Sequence, residues 1–183
     1  MERNVNMHLG SYAVAVTLAV LSSTLSYAAD SPAAPPKGLS FNGKWECSGN
    51  VQGDEKSSSR RATYEGKLVS DGEWIELSYV DLDPAGYAAT FLIGWDSNKK
   101  ELVTFLADNK GYATLTGTGW QDKSLTLTRS GPASFKGFSS DKIPLTRVTF
   151  EFRSADLFTT TWYIMEGDKW AKDDFLSCKP AKL

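Results

Sequence analysis

The sequence predicts an all-β fold, an antiparallel up-and-down meander of about 8–10 strands. Three observations predict it. Short runs rich in Val, Thr, Tyr, Phe and Trp recur at near-even spacing from Phe41 onward. Turn-forming clusters of Asp, Asn, Gly, Pro and Ser separate them, and no segment carries an amphipathic helical stripe of several turns. Strands of that spacing, joined by short turns, close into a barrel or fold as a sandwich.

Residues 1–28 read as a secretory signal peptide. Arg3 supplies a weakly charged start, positions 12–25 form an uncharged, largely apolar run, and Ser26-Tyr27-Ala28 places small residues at a cleavage site. The run is shorter than the roughly 20 residues that span a bilayer. An uncleaved N-terminal anchor helix is the alternative; the absence of Cys at the junction argues against a lipid anchor. The expected location is periplasmic or secreted, with no membrane span in the mature protein. Residues 29–40 are rich in Pro and Ala, lack periodicity and read as a linker or frayed lead-in. Residues 41–180 are expected to form a single β domain, closed as a barrel or folded as a sandwich. The mature chain is of a size that buries roughly 70% of its unfolded surface, enough for a self-sufficient core.

The expected strands cover residues 44–51, 60–69, 73–82, 87–95, 101–107, 112–120, 124–129, 145–153, 158–165 and 169–177. Their punctuation is chemically apt: Ser70-Asp71-Gly72, Asp83-Pro84-Ala85-Gly86, Asp96-Ser97-Asn98-Lys99, Asp108-Asn109-Lys110-Gly111 and Gly167-Asp168. In Arg147-Val148-Thr149-Phe150-Glu151-Phe152-Arg153 the apolar residues fall on one face of a strand and the polar ones on the other. Gly86-Tyr87-Ala88 recurs as Gly111-Tyr112-Ala113, and Gly94-Trp95 as Gly119-Trp120, both at the same offset. That pitch suits one strand-turn-strand-turn unit and would align every second strand in register. Residues 130–144 form the longest stretch without strand pattern; Phe135 and Phe138 either cap an opening or dock on the outside.

Charge and residue counts narrow the chemistry. Twenty Lys and Arg against 22 Asp and Glu give a net charge of −2, with no excess of basic charge for nucleic acid or an anionic membrane. The single histidine, His8, lies in the leader. The mature chain therefore has no route to Ser-His-Asp or Cys-His catalysis, His-ligated zinc or His-ligated haem. No cofactor or metal is expected. Cys47 and Cys178 lie near the two ends of the domain. In an exported protein an even count favours a disulfide, which would stabilise by about 5 kcal/mol in the chain-entropy model. Two free thiols are the rival reading, without a CxxC motif to support redox work.

Gly43-Lys44-Trp45 opens the first strand of this meander. This G-x-W resembles the opening motif of the lipocalin and calycin group. The later Gly94-Trp95-Asp96 and Gly119-Trp120-Gln121-Asp122 runs look like a lipocalin-like family of bacterial exported proteins of unknown function. The resemblance spans residues 41–179. It implies a lipocalin-like, calycin-type β-barrel in which Trp45 plugs the closed end as a structural residue. A basic side chain would lie over its ring, with Arg147, Arg153 and Lys172 as the candidates. Haem-binding members of this architecture use a His that the mature chain lacks.

A barrel of this size either fills its interior with side chains or holds one small ligand. The candidate ligand-binding residues are Tyr64, Tyr79, Phe91, Phe105, Tyr112 and Tyr163, with Trp95 beside them and Arg147 as a charge within the lining; equally, aromatics in strands serve as core and cross-strand pairs. Two carboxylate pairs stand out, Asp81 with Asp83 and Asp173 with Asp174. They suit acid-base work, calcium or plain solubility at turns and rims. Arg60-Arg61 either grips an acidic group or charges a strand edge. The expected function is an exported barrel, not an enzyme, that binds a small hydrophobic or amphipathic molecule in its interior. The alternative is a packed barrel acting through its surface as a protein-interaction or inhibitor module in the cell envelope.

Overall fold

The computed structural model describes residues 32–52, 57–137 and 143–182. The expected signal peptide and Phe138 lie outside them. Eleven strands follow one another: β1 (Gly43–Gln52), β2 (Ser57–Val69), β3 (Trp74–Asp83), β4 (Ala85–Asp96), β5 (Glu101–Asp108), β6 (Gly111–Gly117), β7 (Trp120–Gln121), β8 (Ser124–Phe135), β9 (Thr146–Ser154), β10 (Leu157–Glu166) and β11 (Lys169–Pro180). Each long strand pairs antiparallel with its sequence neighbour; β1 pairs with β11, and β6 with β8. These last two pairings close a ten-strand barrel, with β7 a short appendage on β8. Closure gives each long strand a partner on both sides and so removes the open sheet edge.

The turns follow the local chemistry. After β2, Ser70, Asp71 and Gly72 all adopt positive φ in one short 3-10 turn (φ 51°, 56° and 89°), a conformation that Gly and Asp tolerate best. Asp96 Oδ1 accepts from the N–H groups of Asn98 and Lys99, an Asx-type turn that ends β4. The one strand boundary that differs greatly is in β8. Residues 130–135 continue the strand, with Ala113 opposite Ala133 and Gly111 opposite Phe135. The apparent loop begins only beyond them, and Arg129 Nη2 donates to Ile143 O at 2.9 Å where the chain returns.

Alternation sorts the side chains. Ala62 and Tyr64, Ile75 and Leu77, Ala89, Phe91 and Ile93, Leu125 and Leu127, Val148, Phe150 and Phe152, and Leu176 and Cys178 are all buried in the barrel. One end is closed by aromatic packing. The Phe41 ring lies 4.8–5.9 Å, centroid to centroid, from Phe152, Phe158, Phe150 and Trp120. Trp45 is buried there and its Nε1 donates to Phe41 O at 2.9 Å. The lead-in takes part in this plug: Ala33 is buried and its carbonyl accepts from Trp120 Nε1 at 3.0 Å. Leu39 also packs against the core, while Pro32, Lys37, Gly38 and Ser40 are exposed. Gly66 lets the chain cross here, because a Cβ on it would sit 2.2 Å from Phe41 O.

Cys47 and Cys178 stand directly opposite each other in β1 and β11, Cα atoms 4.0 Å apart, and form a disulfide. The repeat behaves differently from expectation. Trp95 pairs with Leu102, which in turn pairs with Gly117, so the position equivalent to Trp95 two strands on is Gly117 and not Trp120. The repeat therefore misses the structural register by an odd number of positions, which reverses the face for the tyrosines, whereas Trp95 and Trp120 both pack against the core. Accordingly Tyr87 turns into the barrel and Tyr112 turns out to solvent.

Candidate binding site at the barrel mouth

Opposite the aromatic plug, the strand ends widen into a polar mouth. A cavity of about 290 Å³ lies there. Its apolar walls come from Leu106 of β5, Ala113 of β6, Phe135 of β8 and Trp162 of β10, and its charged groups from Arg60, Asp108, Lys110, Asp173 and Asp174. Tyr87 and Thr146 complete it. Beneath it, between Tyr64, Tyr79, Phe91 and Trp162, a gap of about 30 Å³ leads no deeper. Among the described residues, Leu77, Leu115, Leu127 and Phe150 are fully buried in the barrel interior.

Irregularities of the ladder load the mouth with charge. In β10–β11 pairing, Trp162 faces Asp174 and Tyr163 faces Lys172, so Asp173 is the extra residue of a bulge. A bulge breaks the alternation of a strand, and both neighbouring carboxylates border the cavity. In β2–β3 pairing, Arg61 faces Asp83 and Ala62 faces Asp81, so Leu82 is skipped. Asp81 is buried whereas Leu82 and Asp83 are exposed.

Arg60 organises these groups. Its Nη1 donates to Asp174 Oδ2, and its Nε lies 3.6 Å from Asp81 Oδ1. The Tyr79 hydroxyl donates to the same Asp81 oxygen. The side chains of Asp81 and Asp174 are only 4% and 7% exposed, against 21% for Arg60. Across the mouth, the Tyr87 hydroxyl donates to Asp108 Oδ2 at 2.8 Å, while Asp108 Oδ1 accepts from the backbone N–H groups of Lys110 and Gly111. Lys110 Nζ sits 5.7 Å from the centroid of the Tyr87 ring.

Burial dominates the titration of this cluster. It pushes the Asp174 carboxyl up to about 6, against the opposing pull of the Arg60 guanidinium. Burial raises Asp173 as well. It lifts the phenols of Tyr64, Tyr79 and Tyr87 far above the usual range, and the last two are held further in the neutral form by donating to Asp81 and Asp108. For Arg60, burial acts downward but Asp174, Tyr79 and Asp81 outweigh it, so the guanidinium is held charged. Neutral phenols and one guanidinium between two carboxylates make a fixed polar rim suited to hydrogen bonding. No group of three or more metal-ligating side chains with metal-site geometry occurs among the described residues.

The sequence-derived candidates divide. Tyr64, Tyr79 and Phe91 are buried inside the barrel and line the gap below the mouth. Phe105 and Tyr112 are 52% and 50% exposed, on the outer face. Arg147 and Tyr163 also point away from the cavity, because they neighbour the inward Val148 and Trp162. The Arg147 guanidinium packs 4.9 Å from the Tyr163 ring centroid and 4.3 Å from that of Trp170. Arg147 therefore does not cover Trp45, nor do the other two candidates: Arg153 pairs with Glu151 and Lys172 lies over Phe175. Trp95 packs against the core as a partly buried side chain. The sequence displays Arg60, Asp81, Asp173 and Asp174 only as separate pairs, without the bulges that gather them, and carries no signal that singles out Trp162 as lining.

Comparison with known proteins adds no assignment: no family model matches the sequence, and no curated protein matches it. Among the described residues no helix is long and apolar enough to cross a membrane.

Proposed function

We propose that the protein is an exported, lipocalin-like barrel that binds a small amphipathic molecule at its mouth and carries out no catalysis. The observation that carries this reading is the 290 Å³ cavity, walled by Leu106, Phe135 and Trp162 on its apolar side and by Arg60, Asp173 and Asp174 on its charged side. Concave apolar sites with a few placed polar groups are the usual form of a ligand pocket, and the volume falls just below the ~300–1,000 Å³ typical of drug-sized ligands. A compact molecule fits such a space, and the gap of about 30 Å³ beneath it is too small for a long lipid chain. The disulfide supports an oxidising compartment, in keeping with the leader-like residues 1–28.

A second reading, a barrel that acts through its surface as an envelope interaction module, is favoured by one observation. Val80, Leu82, Phe105 and Tyr112 are exposed apolar or aromatic side chains. Native mass spectrometry of protein purified without detergent separates the two. Binding predicts a retained adduct of small-molecule mass that is lost on mild unfolding. A bare mass, together with flat tryptophan-fluorescence titrations against small aromatic amphiphiles, would transfer support to the surface reading.

A further inference from the structure

The mouth has an imbalance of charge and of hydrogen-bond acceptors. Four carboxylates, Asp81, Asp108, Asp173 and Asp174, face two cations, Arg60 and Lys110. Asp81 is occupied by Tyr79 and Arg60, and Asp108 by Tyr87 and two backbone N–H groups. Arg60 is paired with Asp174 and lies 3.6 Å from Asp81, its Nε making no hydrogen bond among the described residues. Two acceptor positions remain. Asp174 Oδ1 is a buried oxygen with no hydrogen-bond partner among the described residues, on a side chain only 7% exposed that borders both the cavity and the gap beneath it. Beside it, the bulged Asp173 takes part in no ion pair among those residues. A buried carboxylate oxygen left without a donor costs more than an ordinary unmade hydrogen bond.

We propose that the mouth selects organic cations: a primary or secondary ammonium whose N–H groups bond Asp174 Oδ1 and Asp173, carrying a compact aromatic or apolar body. This rests on the reading of the mouth as a binding site. The body would lie against Trp162, Phe135 and Leu106, which form the apolar wall of the same cavity. Aromatic rings beside the ammonium add cation–π attraction. An anion is disfavoured, because it would have to displace Asp174 from Arg60 or reach Lys110 past the carboxylates. A neutral donor would satisfy the oxygen but leave the charge excess. Asp174 also imposes a pH dependence. The groups that face it are Arg60 and Tyr64 from β2, Tyr79 and Asp81 from β3, Tyr87 from β4 and Asp173 on its own strand; Asp108 and Lys110 lie across the cavity, and Glu166 acts on Asp173. With its carboxyl raised to about 6, protonation as the pH falls through that value removes the acceptor charge and weakens cation binding.

Three probes of matched size test this on the mature, disulfide-bonded protein: 2-phenylethylamine, 2-phenylethanol and 3-phenylpropionate, titrated by calorimetry and by tryptophan fluorescence. At pH 7.5 the amine is expected to bind about tenfold or more tightly than the alcohol, the strength of one charge-assisted bond, with the acid weakest. Lowering the pH to 5 reduces affinity for the amine and leaves the alcohol unchanged. Asp174→Asn abolishes the preference for the amine. Asp173→Asn, at a less buried position, reduces it and tests the same idea if the first variant fails to fold. Alcohol or acid binding as tightly as the amine would overturn the cation preference while leaving a binding mouth. Silence from all three overturns both.

Discussion

The two ends of this barrel are made by the same strands, yet they are opposites. At one end the Phe41, Trp45, Phe152 and Phe158 rings pack on one another, and the polar groups present are tied back to the backbone, as in Trp45 Nε1 to Phe41 O. At the other, Arg60, Asp81 and Asp174 share a half-desolvated cluster around open space. Aromatic packing is dry, non-directional and gains with each ring buried. A carboxylate at the edge of low-dielectric surroundings gains only if a donor meets it. The contrast teaches a division of labour: the plug carries stability, while the mouth tolerates a stability cost that the proposed ligand would relieve.

Perturbing each end in turn tests that division. Removing the disulfide through the paired Cys47→Ser and Cys178→Ser changes should have the largest effect, about 4–5 kcal/mol in the unfolding free energy. Chemical denaturation of both forms measures it, and a loss below about 1 kcal/mol would break the assignment of the clasp to the stabilising end. Phe41→Ala should cost about 3–5 kcal/mol by opening a cavity among four rings, without altering probe affinity at the mouth. Equal damage to probe binding would show that the two ends are not separable.

The third test sharpens the comparison instead of breaking it, and concerns Asp174→Asn. A carboxyl whose folded pKa is raised to about 6 binds its proton more tightly in the folded state than in the unfolded chain, where it is near 3.9. Its stabilising contribution is present below the unfolded pKa and is lost as the pH rises through about 6. Unfolding free energies measured from pH 4 to 7 should therefore decline in the native protein, with Asp173 adding in the same direction. The decline should flatten in the variant. The effect is smaller than either plug variant, and an unchanged slope would assign the pH response to other groups.

Most of the fold is legible in the sequence because its signals are local. Period-two alternation places Val148, Phe150 and Phe152 inward, and Asp-Gly and Asn-Lys clusters mark where strands end. The two cysteines form a bridge because the first and last strands meet. What local signals do not encode is a break in alternation. A shared Gly-Tyr-Ala makes Tyr112 look equivalent to Tyr87, but the register joins Trp95 to Gly117 across the intervening strand, which sends one tyrosine inward and the other outward. The bulges at Leu82 and Asp173 change which face each neighbour occupies, and no residue type announces them. The true rim residues are therefore visible in the sequence only as unrelated acidic and basic pairs. Arg147 misleads for a related reason: a lone cation in a strand reads as a pocket charge until the adjacent inward residue fixes its direction.

The bridge between Cys47 and Cys178 also changes the connectivity of the molecule. All the chain from residue 47 to residue 178 is a covalent ring, and that ring contains every turn of the barrel. A protease that cuts one turn converts the ring into a line but releases nothing; both pieces travel together until a second cut falls or the disulfide is reduced. A single scission is thus an injury that the sheet can hold in place, with the mouth still assembled.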